Sequence, residues 1–261
     1  MLRIREEQVT VFEHAALRNF EDRMIAHLRE FAPTHSKILT EDEMRLVIRH
    51  GMKQAESHRF TSERSIRIYT EFMLMLGSSF DTDPQLPWAA ALLNDEMMTE
   101  EVLRIDQLKE KSWEYFDEVL PDFGNVDGDA RRKQFIEQIR ELGKKGDEIL
   151  SSFNAEFYQR TVALLNLPLS KKSEQLGERV LRKVINHGIK SAKSYGISSE
   201  RGITLFIVAM FLLGSGFDHD PQFPWATRVL NDQSITDQKE RVDRLFAAAI
   251  ECFNGLLRLL G

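Results

Sequence analysis

Apolar residues recur three or four positions apart along almost the whole chain, the spacing of helices that bury one side. Phe12, Ala16, Phe20, Met24, Leu28 and Phe31 form one such stripe over residues 4–31, and Pro33 ends it. Thr40-Glu41-Asp42-Glu43 reads as a capping box, with the Thr40 side chain accepting from the Glu43 N–H and the Glu43 carboxylate reaching back. It predicts a helix to about Ser57 with Met44, Val47, Ile48, Met52 and Ala55 on its inner side. Thr61-Ser62-Glu63 starts the next, which turns Ile66, Tyr69, Met73 and Leu76 inward and ends near Gly77. A short helix follows from Pro87, since proline suits a first turn, with Trp88, Ala91 and Leu92 facing inward. Asp81 or Asp83 is expected to cap it. Another opens at Thr99-Glu100-Glu101 and carries Leu103, Leu108, Trp113, Phe116 and Val119. Residues 121–129 are dense in turn formers and mark a boundary. Beyond it a helix is expected from near Asp129, interrupted around Gly143 and Gly146. No useful stretch alternates as a strand would, so the predicted class is all-α.

The pattern then returns. Phe80-Asp81-Thr82-Asp83-Pro84-Gln85-Leu86-Pro87-Trp88-Ala89 recurs as Phe217-Asp218-His219-Asp220-Pro221-Gln222-Phe223-Pro224-Trp225-Ala226, an offset of 137 residues. Between Met44–Asp95 and Leu181–Asp232, 27 of 52 positions are identical, which chance likeness of two helical segments would not produce. The expectation is two tandem homologous helical bundles in a pseudo-twofold arrangement. The first covers residues 1–120, a linker and the start of a connecting helix cover 121–137, and the second covers 138–261.

Composition narrows the function classes. The chain has 261 residues, 42% of them hydrophobic, and a net charge of −6, which disfavours nucleic acid as the main ligand and suits a basic protein partner. The opening residues lack the apolar core of a signal peptide. The most apolar run, Ile203 to Leu213, is shorter than the ~20 residues needed to span a bilayer. A cytoplasmic protein without membrane insertion is expected. Cys252, the only cysteine, stands where the first repeat has Tyr115 and reads as a small buried hydrophobe.

The repeated polar residues are the candidate chemistry. Paired aspartates on a turn suit a divalent cation, yet the loop lacks the alternating ligands and closing glutamate of a calcium loop. The favoured reading is structural, with Phe80, Asp81, Asp83, Pro84 and Trp88, and likewise Phe217, Asp218, Asp220, Pro221 and Trp225, forming a clasp within each bundle. A metal site and a partner-binding loop are the alternatives. His50 and His187, each before a glycine, suit either catalysis or packing. Arg64 and Arg201 follow a repeated Ser-Glu, and Arg64 is expected to pair with Asp81 or Asp83 in the loop after its helix. No Walker loop, dinucleotide fingerprint or Gly-x-Ser-x-Gly is present. No catalytic residue, metal or cofactor is therefore assigned. Where the repeats differ they are free to specialise, and Met97, Met98, Glu100 and Glu101, which become Ser234, Ile235, Asp237 and Gln238, are the candidate partner-binding residues. The groove between the repeats is a second candidate surface, and a homodimer is a further option.

Several longer motifs carry a resemblance. They are the Ile-Arg-Glu-Glu-Gln opening, Phe12-Glu13 followed by Asn19-Phe20-Glu21-Asp22-Arg23-Met24, the segment Gly188 to Arg201, and the repeated loop itself. Together they resemble small helical proteins encoded beside type VI secretion spike and toxin genes of Gram-negative bacteria, with the unit carried twice. That resemblance implies an immunity protein that occludes a cognate antibacterial toxin, or alternatively a chaperone or adaptor that helps load one. From another class, a helical enzyme with a His/Asp site is the remaining alternative.

Overall fold

The computed structural model describes residues 6–33, 35–119, 126–146 and 153–259. The first half of the chain forms α1 (Glu6–Phe31), α2 (His35–Ile38), α3 (Glu41–Ser57), α4 (Glu63–Leu76), α5 (Pro87–Leu93) and α6 (Glu101–Val119). The second forms α7 (Val126–Lys144), α8 (Ala155–Ser194), α9 (Glu200–Leu213), α10 (Pro224–Asn231) and α11 (Gln238–Leu259). The fold is all-α, with no strand among the described residues.

Local chemistry sets the boundaries. The capping box at Thr40 and Glu43 is present at the start of α3. Ser62 and Ser199 cap α4 and α9, accepting from the N–H groups of Ser65 and Gly202. The helix α8 is bent where Pro168 precedes Leu169, and again at Gly177, whose φ is 69°. Those two positions lie 137 residues after Ala32 and Thr40, where the first half breaks between α1, α2 and α3. The helix α7 begins at Val126, a few residues before the expected start near Asp129, and runs through Gly143 to Lys144. Proline opens α5 and α10, but their N-caps are Leu86 and Phe223, which make no side-chain cap bond. Asp81 and Asp83 therefore do not cap α5 as expected, because both point away from it to other donors. Ala89 and Leu93 are its buried residues, and Ala91 is exposed.

Two apolar cores result. One gathers side chains from Met24 to Val119, with α4 at its centre, and the other gathers side chains from Phe135 to Phe253 around α9. Each large apolar side chain withdrawn from water contributes roughly 1.5–3 kcal/mol. By that measure α9, buried continuously from Arg201 to Phe211, is the main apolar support of its half. Phe135, Ile136, Ile139 and Leu142 of α7 belong to the second core, so the connecting helix is packed against the second half. Helices α3 and α4 approach closely enough that a Cβ at Gly51 would lie 2.6 Å from Thr70 Oγ1, and a Cβ at Gly188 would lie 2.6 Å from Ile207. The repeated His-Gly pairs thus owe their glycine to helix contact.

At the join the C-termini of α4 and α9 meet. Gly77 and Gly214 end them with φ of 98° and 103°, and a Cβ on Gly77 would sit 2.7 Å from the Leu213 carbonyl oxygen. Both the φ and the backbone contact demand glycine. Gly77→Ala is expected to cost at least about 2 kcal/mol in chemical denaturation, the strained backbone alone accounting for roughly 1–3 kcal/mol. A variant as stable as the parent would remove the close approach of the two helix ends from this account.

Candidate functional site

The repeated loop occupies this join, and its two aspartates divide the work. The first stays within its own half. The Asp81 carboxylate accepts from Tyr69 Oη at 3.1 Å and lies 2.8 Å from His58 Nε2. Asp218 accepts from Tyr195 Oη at 2.9 Å and lies 3.0 Å from His219 Nδ1. Burial raises both carboxyls, but these partners outweigh it and hold each below the usual range.

The second aspartate crosses to the other half. Asp83 accepts from the Ser215 N–H at 2.7 Å and its hydroxyl at 2.6 Å, and Asp220 accepts from the Ser78 N–H and hydroxyl at the same two distances. Each also accepts from the backbone N–H two residues on, that of Gln85 or Gln222, at 2.8 Å. The glutamines cross as well. Gln85 Nε2 donates to the Met210 carbonyl at 2.8 Å and Gln222 Nε2 to the Met73 carbonyl at 2.9 Å, adding a second donor to carbonyls that already accept from the Gly214 and Gly77 N–H groups. Every bond given in one direction is returned in the other. The loop therefore does two jobs: its first aspartate binds within its own half, and its second aspartate and its glutamine join the halves to each other.

The surroundings of the crossing carboxylates differ. Lys172 of α8, fully enclosed, donates to the Phe211 carbonyl at 2.6 Å and lies over the Phe211 ring. Burial lowers its ammonium to about 8, opposed by the nearby charge of Asp83. On the other side burial raises the Asp220 carboxyl, against the hydrogen bonds that it accepts from Ser78 and Gln222. His50 Nε2 is buried and has no hydrogen-bond partner among the described residues, whereas His187 is exposed.

This arrangement leaves little for chemistry. The space lined by Gly77, Ser78, Asp83, Gly214, Ser215 and Asp220 has no room for a water molecule. Among the described residues no three His, Cys, Asp or Glu side chains stand together as a metal-binding group. Histidine–carboxylate pairs form at His58–Asp81, His219–Asp218 and His27–Glu71, none of them at His50 or His187. Burial pushes the Cys252 thiol up to about 12, which keeps it protonated and inert. Phe80 and Phe217 are buried, Trp88 and Trp225 half-buried, Pro84 exposed and Pro221 half-buried.

Arg64 does not reach Asp81 or Asp83. It pairs with Asp106 of α6 at 2.6 Å, and Arg201 pairs with Asp243 of α11 at 2.5 Å. The loop lies at the far end of α4, whereas Arg64 is in its first turn, next to the start of α6.

The candidate partner-binding residues separate. Met97 is 90% exposed and Glu100 is exposed, while Met98 is half-buried. Glu101 is committed inward. It accepts from the N–H and hydroxyl of both Thr61 and Ser62, tying the start of α6 to the start of α4. Burial would raise its carboxyl, but the Ser62, Ser65 and Thr61 donors prevail and hold it at about 2. Comparison with models of known protein families, with curated proteins and with solved structures finds no match to this chain.

Two measurements probe these contacts. Asp83→Ala strips the acceptor from the Ser215 hydroxyl and N–H and from the Gln85 N–H, and is expected to cost at least about 3 kcal/mol in urea denaturation. Adding Ser215→Ala should cost little more, and additive losses would count against the coupling. Glu101, with a folded-state pKa below the ordinary 4.5, stabilises the fold above that pH and loses the effect as pH falls toward about 2. The melting-temperature gap between the parent and Glu101→Gln should therefore be widest at neutral pH and shrink through that acid window, and a pH-independent gap would contradict it.

Proposed function

We propose that this chain is a non-enzymatic binding protein made of two tandem homologous helical units related by a pseudo-twofold axis. On this reading it acts in the cytoplasm as an immunity protein that binds and inhibits a cognate antibacterial toxin of a type VI secretion locus. One observation carries it. The polar residues of the repeated loop are committed to internal hydrogen bonds, while among the described residues the large apolar side chains left in water lie in the first half alone. Among the described residues these are Leu46, Met75, Met97, Val102, Leu103 and Trp113. Positions 137 residues later hold Lys183, Leu212, Ser234, Lys239, Glu240 and Ile250, which are charged, polar or packed against the second core. Exposed apolar surface on one half only is what a protein-binding face leaves behind. The negative charge would steer a basic partner.

Membrane insertion forms no part of the proposal, and among the described residues no helix is long and apolar enough to cross a bilayer. Co-expression with the toxin encoded beside the gene tests the reading. Restored growth together with a complex that survives size-exclusion chromatography is expected. A complex without rescue would point to the chaperone or adaptor role, and neither rescue nor complex would end the binding proposal.

A further inference from the structure

In the second half, α7 lies along α9 and α11 and closes the groove between them. Its Phe135 ring packs on Phe253 at a centroid distance of 6.0 Å, and its Gly143 carbonyl accepts from Arg201 Nη1 at 2.8 Å. Gly143 is close enough to Phe246 that a Cβ there would lie 3.2 Å from the ring. The covering is complete enough to leave the Arg201 side chain 3% exposed.

The same groove exists in the first half between α4 and α6. Arg64, Lys109, Trp113 and Phe116 stand there 137 residues before Arg201, Phe246, Ile250 and Phe253. Arg64 makes the matching ion pair with Asp106, but its side chain is 48% exposed. Trp113 is 42% exposed, with one edge against Phe72 of α4 and another against Phe116. Val102, about three turns before Trp113 on the same flank of α6, and Met75, one turn beyond Phe72 on α4, are exposed too. Among the described residues no helix takes the place of α7 in this groove.

We propose that the α4–α6 groove receives an amphipathic basic helix of a protein partner, seated as α7 is seated in the second half. The occupant is helical because the fold itself fills the matching groove with a helix, which presents Phe135, Ile136, Ile139 and Leu142 inward. It is basic because of what flanks the groove. Residues 95–119 hold nine carboxylates against three basic side chains, a net −6 that equals the charge of the whole chain. The matching residues 232–256 hold five against three, a net −2. Glu110, Glu114 and Asp117 form an exposed acidic ridge beside Trp113. Trp113 is the anchor, because a half-exposed indole backed by two aromatic rings gains most from being covered.

The inference rests on the binding-protein reading, and the test keeps the two apart. The probe is a fluorescein-labelled peptide of residues 126–144 carrying E137K and E141K, two substitutions on the exposed face of α7 that raise its basic charge. Saturable binding to the full chain is expected by fluorescence anisotropy, weakening at least tenfold in Trp113→Glu and as salt rises. Trp113→Glu also removes the ring contacts with Phe72 and Phe116, so the variant is expected to melt below the parent, and an unchanged helical circular-dichroism spectrum with a cooperative transition confirms that it is folded. Absence of binding, or binding unchanged in Trp113→Glu, overturns the proposal. A concentration-dependent dimer abolished by Trp113→Glu also overturns it, by making a second copy the occupant. If the parent chain and Trp113→Glu protect equally against the toxin, the groove assignment falls and the immunity reading stands. If neither protects while the peptide still binds at Trp113, the reverse holds.

Discussion

Two carboxylates, Asp83 and Asp220, sit almost out of water at the meeting point of two helix C-termini. A buried carboxylate is costly unless it is hydrogen-bonded, and the negative ends of α4 and α9 add to the cost. The join answers with donors from both sides. Each carboxylate receives a hydroxyl and a backbone N–H from the opposite half and a further N–H from its own turn, and the Lys172 ammonium lies near Asp83. Neither carboxylate keeps the crossing donors if the halves separate. The close contact of Gly77 with the Leu213 carbonyl and the crossing of Gln85 and Gln222 follow from the same requirement.

Much of the architecture was legible in the sequence, because it rests on local rules. The capping box at Thr40, the serine caps at Ser62 and Ser199, and the glycine ends of α4 and α9 are written in adjacent residues. So is the repeat, which marked the Asp-x-Asp-Pro-Gln loop as the organising feature. What the loop bonds to was not legible. Its partners, Ser78 and Ser215, sit beside the loops in sequence, but each serves the loop of the other half, more than 130 residues away. No periodicity reports such a pairing. Arg64 was misassigned for a related reason. The aspartates of the loop that follows its helix are not near it in space, because α4 carries the loop off to its far end. Glu101, taken as a surface acid, is instead the acceptor that ties two helix starts together.

On the proposed reading the differences between the halves carry the functional content, and the fold shows where on the molecule they lie. Exchanging Trp113 for Ile250, or Lys109 for Phe246, looks like neutral drift in a sequence comparison. With α7 in view, the second member of each pair lies in the half whose groove is closed by the chain itself, and the first lies beside open solvent. The acidic bias of α6 and the exposure of Met75 and Val102 fall on the same side of the molecule for that reason.

The reciprocity of the join has a consequence for how such a chain holds together. The crossing bonds of the two loops are returned in kind, so on the proposed reading of two homologous units a single unit bearing such a loop would be matched by a second copy of itself. Carrying both units on one chain replaces that concentration-dependent encounter with an intramolecular one, at an effective concentration in the millimolar range for a short tether. Pairing then no longer depends on expression level. It also no longer requires the partners to be identical, which leaves one half free to become the scaffold and the other free to meet something else.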